Sequence, residues 1–425
     1  MLRHAACATT ALKLFAALAV AAVLVSVAMV HHARAEFEEP PLLSARDILP
    51  SEQLKGPNHE VADEVENNGL FNRYTVSSPF GSFEAPSSSA LGFLINELNA
   101  IAAMKKVKTD DTAIASLKQS GENTIAGLKN LFTDTEETVK GAASGVQSLF
   151  HRASETIGKR EVTGAEDSKA QQLIGFSRSK GEIATTFHVN VYTRNKVLQE
   201  ELDRLAWADY LGGLGVGLAT SVVPGVGGIV LSTSGAARLL NEAINTTPAA
   251  ELWVQSRDKL LALGMEGDTV QLFLNNQMYS PALYTVMTAA LESMKGVDNL
   301  ELLLKVSLQA SSPEMARVIT EITVLTAGYH THVTPLKTIL PMARITKAVT
   351  KDGAVAVILP TDHLIWSERV ASALMEISDT PKVAESAGKE LWVLGDLSDK
   401  ARDEFKKAGW KITTGAGQYL LAAKD

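Results

Sequence analysis

The chain has 425 residues, a formal net charge of −8, 46% hydrophobic residues and 21% charged ones. That length allows two or three domains, the composition is that of a globular protein, and the acidic balance argues against a nucleic-acid partner. A single cysteine, Cys7, leaves no disulfide framework and no cysteine-ligated metal site.

The first 35 residues read as a secretory leader. Arg3 and Lys13 precede an apolar run from Leu14 to Val30, and Ala33-Arg34-Ala35 closes it as a small-x-small cleavage pattern. The competing reading is an uncleaved anchor, because the run is near the shortest length that spans a bilayer. Cys7 lies before the run, which argues against a lipoprotein. Cleavage removes Arg3, Lys13 and Arg34 and no acidic residue, so the net charge moves from −8 to −11. Membrane contact by such a chain has to be hydrophobic or local.

Residues 36–110 follow as an extended, proline-bearing lead-in, a β-hairpin and a helix. Tyr74 and Val76 alternate with polar residues, Pro79-Phe80-Gly81 makes the turn, and Phe83 continues. In SSSALGFLINELNAIAAMKKV, serines cap a helix whose Leu91, Leu94, Leu98, Ile101 and Met104 share one face.

Residues 111–165 are an amphipathic helical segment or a linker. Apolar or small residues from Ile125 to Ile157 recur at alternating steps of three and four, and Thr133-x-x-Glu136 and Asp134-x-x-Glu137 are candidate capping boxes. The apolar face is thin, as on a surface helix. TVKGAASGVQSLF resembles the weakly apolar helices of lipid-surface proteins such as synucleins and apolipoproteins, which implies contact with a membrane surface or a partner.

A helical domain over 166–340 is expected next. TTFHVNVY reads as a short strand, and LQEELDRLAWADY as a helix leading into YLGGLGVGLATSVVPGVGGIVLSTSGAA, which carries no charge from Tyr210 to Ala237. Gly213, Gly215 and Gly217 do not complete a dinucleotide fingerprint, and no P-loop occurs, so a nucleotide is not expected. Pro224-Gly225 splits the run into two arms, each about 18 Å long as helix, too short for a bilayer core of roughly 30 Å. Gly213, Gly217 and Ser221 on one arm, and Gly228, Ser232 and Ala236 on the other, are spaced so that two helix backbones can approach closely. The 210–240 stretch therefore resembles glycine-zipper hairpins, which implies either a buried core hairpin or one that inserts reversibly into membrane.

Thr247-Pro248, Ser280-Pro281 and Ser312-Pro313 each read as an N-cap followed by proline in the first turn, and Gly264, Gly296 and Gly328 as helix ends. Short second helices around VQLFLNNQ and LELLLKVSL make this a quasi-repeat of helix pairs. Residues 341–425 then change character. GAVAVILP, SERVASALMEI, KELWVLGD, LSDKARDEFKKAG and WKITTG follow the order β-α-β-α-β, a small α/β domain with parallel pairing. The expected fold class is thus mainly α-helical, with a helical hairpin, a helix-pair array, a short N-terminal β-hairpin and this small C-terminal α/β domain.

Chemistry is sparse. His330 and His332 stand two apart, and Asp362 stands beside His363. They form a two-His plus Asp/His metal set if the loop at 329–333 meets the end of the strand at 354–360. The simpler reading is surface or capping histidines. Ser177-x-x-Lys180 lacks the partner motifs of a serine acyltransferase, and Asp396 fits a turn before the Ser398 cap. Nothing requires catalysis, and no cofactor is expected. As a whole the chain resembles exported bacterial proteins of unknown function, which brings no catalytic residue with it. The leading expectation is a non-enzymatic cell-envelope interaction or scaffold module with a protein partner. The alternatives are a membrane-associated lipid-binding or inserting protein that uses 210–237, and a metal-dependent hydrolase that uses the histidine cluster.

Overall fold

A computed structural model describes residues 37–107, 176–210, 235–342, 345–378 and 386–421. The leader, the 111–165 segment and residues 213, 217, 221, 228 and 232 of the glycine-rich hairpin lie outside the described residues. Ala236 falls in the first turn of a helix, where only the backbone is described.

Residues 42–85 form a sheet, which corrects the expectation of an extended lead-in with one hairpin. Strands β1 (Leu42–Ser44), β2 (Lys55–Gly56), β3 (His59–Val61), β4 (Glu64–Asn67), β5 (Asn72–Ser78) and β6 (Gly81–Ala85) form one six-stranded antiparallel sheet. Two single-turn helices, α1 (Ala45–Ile48) and α2 (Ser51–Leu54), interrupt it. The sequence hides this sheet because most strands are two to four residues long, below the length at which alternation is readable. β5 is the exception. Its Asn72, Tyr74 and Val76 are buried while Arg73, Thr75 and Ser77 face solvent, and it pairs with β4 and β3 along one edge and β6 along the other.

Helix α3 (Ser88–Met104) packs its Leu91, Ile95, Leu98 and Ile101 under that sheet. Its cap is Ser87, whose hydroxyl accepts from the Ala90 N–H at 3.0 Å. Helices α4 (176–186) and α5 (Lys196–Tyr210) complete this core. Between them TTFHVNVY is not a strand. Thr185 and Thr186 finish α4, and His188 takes a positive φ of 55°. Among the described residues no strand lies alongside, and the Asn245 side chain supplies the bonds instead. Its Oδ1 accepts from Val191 N at 3.0 Å and its Nδ2 donates to Val189 O at 2.8 Å.

The helical array is present as a stack. Helices α6 (Gly235–Thr246), α7 (Ala249–Ala262), α8 (Gly267–Leu274), α9 (Pro281–Ser293), α10 (Glu301–Ser307) and α11 (Pro313–His332) follow in order, α7 packing on α9 and α9 on α11. Ser280 and Ser312 cap α9 and α11 as their sequence predicts, and Gly264 and Gly296 end helices at positive φ. Thr247 does not cap, and α7 starts behind Pro248. Gly328 does not end a helix. It sits inside α11 where a Cβ would lie 2.0 Å from the carbonyl oxygen of Leu420, so glycine is there for close approach of α11 to the C-terminal turn α14 (Gly417–Leu420).

The C-terminal part is a five-stranded mixed sheet of β7 (Leu336–Met342), β8 (Ile345–Thr350), β9 (Val355–Leu359), β11 (Lys389–Val393) and β13 (Lys411–Thr413), in spatial order β13-β11-β9-β8-β7. A short parallel pair, β10 (His363–Leu364) with β12 (Asp396–Leu397), lies beside it. The parallel pairing expected for the last three strands holds for β9, β11 and β13, with helices α12 (Glu368–Ser378) and α13 (Asp399–Lys407) between them. β7 and β8 add an antiparallel hairpin beyond the three expected strands, with β7 starting before the expected boundary at 340. Pro341 is tolerated there because β7 is an edge strand. β9 is apolar throughout because both faces are covered. Ala356 and Ile358 pack on the helical array, and Val355 and Val357 on α12 and α13.

Helix takes 51% and strand 20% of the structure, across three sheets, so the chain is an α/β protein and the mainly helical class is overturned. We predict that Gly328→Ala lowers stability by about 1–3 kcal/mol, since backbone rather than a flexible side chain must give way. An unchanged urea midpoint would show that α11 and α14 are not tightly apposed.

Candidate functional site

In open α/β sheets the carboxyl ends of parallel strands are where sites are usually built. Here those ends are filled by the N-terminal sheet. Asp362, just past β9, accepts from the Asn72 N–H at 2.9 Å and from the Ser88 N–H, which is 3.1 Å from both carboxylate oxygens. Ser88 opens α3, so the carboxylate sits at a helix N-terminus, where negative charge is favoured. Asn67 donates to the His363 carbonyl at 3.1 Å and to Asn72 Oδ1 at 2.8 Å. Gly395 completes the closure, because a Cβ there would be 1.8 Å from the Asp362 carbonyl oxygen. Burial pushes the Asp362 carboxyl up to about 6, against the pull of the N–H groups.

The four residues of the candidate metal set are not brought together. His330 and His332 lie in the last turn of α11 rather than in a loop. His330 Nδ1 accepts from the Leu336 N–H at 2.9 Å, and burial lowers its pKa, with Lys351 adding to the effect. His332 is exposed. Leu336 pairs with Thr350, whose N–H donates to the Ala354 carbonyl, so the histidine pair stands at the start of β9. Asp362 and His363 stand beyond its end, a strand of five residues or roughly 17 Å away. Among the described residues no three His, Cys, Asp or Glu side chains stand together as metal ligands would. Asp396 opens strand β12 opposite His363 rather than a turn; its carboxylate pairs with Arg402 and accepts from the Leu397 N–H.

Two further carboxylates are held inside the junction. Ser89 donates to Glu321 of α11 at 2.7 Å, and burial pushes that carboxyl up to about 7. Glu97 of α3 accepts from the Thr193 hydroxyl and from Asn195 Nδ2 at 3.1 Å, and burial raises its pKa against those bonds. The sequence gives no hint of either, because their partners are about 100 or more residues distant.

Beside Glu97 the surface opens into a groove of about 420 Å³ between β6, α3, the 193–197 loop and α11. Phe83, Phe93, Leu94 and Val197 supply apolar lining, Arg194, Lys196 and Arg317 supply cations, and Glu84 and Glu97 supply carboxylates. Arg317 lies 5.4 Å over the Phe93 ring. Among the described residues these three cations form no direct ion pair. The charge of Arg317 also acts at longer range on Glu97 and Glu321, and Glu314 feels those of Arg194 and Arg317. The Glu314 carboxyl is held low first by its own backbone N–H, which outweighs burial. The one sequence sign of this groove is the basic pair in TRNK, within a turn that Asn195 organises by accepting from the Val197 and Leu198 N–H groups.

Among the described residues no helix is long and apolar enough to cross a membrane. Comparison with protein-family models, curated proteins and solved structures found no match for the chain.

The raised carboxyls give a pH signature. A group whose pKa is higher in the folded protein binds more protons there, so its contribution is complete below the unfolded value and is lost as pH rises through the folded one. For Glu321 that window runs from its ordinary 4.5 to about 7, and for Asp362 from 3.8 to about 6. We predict that stability falls between pH 5 and 7 and that Glu321→Gln, which keeps an acceptor for Ser89, flattens the fall by on the order of 2 kcal/mol. Equal pH profiles for the two proteins in urea titrations would remove Glu321 from this account.

Proposed function

We propose that this chain is an exported cell-envelope protein acting as a non-enzymatic interaction module, with the groove between β6, α3 and α11 as its partner site. The observation that carries this reading is the trio Arg194, Lys196 and Arg317 around an apolar floor, without direct ion pairs among the described residues, on a protein whose net charge is negative. Cations left unpaired around an apolar cleft favour a negatively charged partner and steer its approach. The internal roles of the other polar groups support it. Asp362, Glu321, Glu97 and His330 each hold backbone or side chains of a neighbouring element, and so serve as fasteners. The leader pattern supports export, and an acidic segment of a protein is the partner chemistry that fits the groove.

A photo-crosslinking side chain placed at position 196 in living cells tests this. The expected result is an adduct with a discrete protein bearing an acidic segment, lost when Arg317→Glu is added. No adduct beyond that formed at position 407, on exposed α13, would overturn the reading.

A further inference from the structure

The groove has a second property besides charge: one of its walls is the open edge of a sheet. Among the described residues β6 pairs only with β5, through Val76↔Phe83 and Thr75↔Glu84 among others. The Thr75 carbonyl is turned the other way and accepts from the Ala62 N–H at 2.9 Å on the β3 side. Thr75 and Glu84 therefore form a non-hydrogen-bonded pair, and by the alternation of an antiparallel ladder the N–H and C=O groups of Glu84 and Ser82 point outward. Both residues are exposed, and neither backbone has another backbone partner among the described residues. Phe83 between them turns its ring toward the same core face as Tyr74 and Val76, and with Phe93 it borders the groove.

We infer that the groove takes an extended acidic peptide that adds as a strand to the open edge of β6. An incoming strand would bond to the outward groups of Ser82 and Glu84. One face of it would lay apolar side chains on Phe83, Phe93 and Val197. Carboxylates on that same face, flanking the apolar side chains, would reach Arg194, Lys196 and Arg317, which line the groove with them. Strand addition supplies affinity through main-chain bonds, and the alternate side chains supply selectivity. An open edge is also an aggregation hazard that proteins commonly blunt with charge. Here the exposed Glu84 is paired across to Arg73 at 3.6 Å. The groove's cations come instead from other elements, placed to meet a partner. This inference rests on the interaction-module reading and names the partner's shape and charge.

The test is binding of a short fluorescent peptide whose valines and glutamates share one face of a strand, with threonine at the intervening positions, to the purified protein, followed by fluorescence anisotropy. Three weakenings of about tenfold or more are expected. The first is with Arg317→Glu. The second is when alternate amides of the peptide are N-methylated, which leaves charge intact and blocks the ladder. The third is with Glu84→Pro, which deletes an N–H that β5 does not use and is tolerated on an edge strand. Glu84→Pro should leave the urea midpoint nearly unchanged, so that lost binding is not lost folding. The lysine version of the peptide should not bind. Full affinity for the N-methylated peptide would overturn strand addition. No binding of the glutamate peptide, with the crosslink at position 196 still formed, would overturn it while leaving the interaction module in place. Absence of both would overturn the two together.

Discussion

A buried carboxylate set against two backbone N–H groups holds the first sheet of this protein on the last. Asp362 can occupy that place because β9 delivers it at the end of a fully covered strand, and because Gly395 lets the neighbouring turn pass within contact of its backbone. The bond anchors the first turn of α3, and α3 in turn carries Ser89 to Glu321 and Phe93 to Arg317. The orientation of the N-terminal sheet, the wall of the groove and the position of α11 all descend from this contact. Burial works against the charge that makes it, so the junction is a compromise between desolvation and hydrogen bonding.

The same junction decides where chemistry can happen. The strand ends that would ordinarily receive a ligand are sealed by Asn67, Asn72 and Tyr74, whose hydroxyl meets Ser88 at 2.8 Å. The opening moves sideways, to the flank of α3, where the 193–197 loop and α11 leave a cleft with cations on its rim. Arg204 shows how differently a cation is treated inside this fold. It donates to the Met104 carbonyl at 2.7 Å and pairs with Glu201 at 2.9 Å, closing the carbonyl end of α3. Arg317, on a helix of the neighbouring stack, is half-buried over the Phe93 ring and forms no direct ion pair among the described residues, though its charge reaches Glu97, Glu314 and Glu321.

What the sequence makes legible is local. Serine and proline punctuation places the starts of α9 and α11, and a continuous apolar run identifies β9, because caps and covered strands are written in adjacent residues. The N-terminal sheet escapes because its partners are short and its order is not sequential: β4 and β3 share one edge of β5. Gly328 reads as a stop because glycine usually is one after a helix, yet its reason is the backbone of Leu420, far along the chain. His330 and Asp362 look like candidates for one site, but a strand separates them, and spacing in sequence carries no information about which end of that strand each will meet. The groove is illegible for the same reason, since Phe83, Arg194 and Arg317 have no local pattern in common.

The start of the described residues is tied to the C-terminal sheet. The Glu38 carboxylate accepts from the Trp366 N–H at 2.6 Å and from the Ser398 hydroxyl, 360 residues away, while Phe37 packs on the core under α12 and α13. A ribosome releases Glu38 long before Ser398 exists. The cap of α13 and the last core cluster must therefore wait for the whole polypeptide, and the early strands spend synthesis without their final neighbours. A fold closed this way assembles late and by long-range contacts, which makes it slow to form. A nascent chain cut short before Trp366 would leave Phe37 and Glu38 without a place to dock.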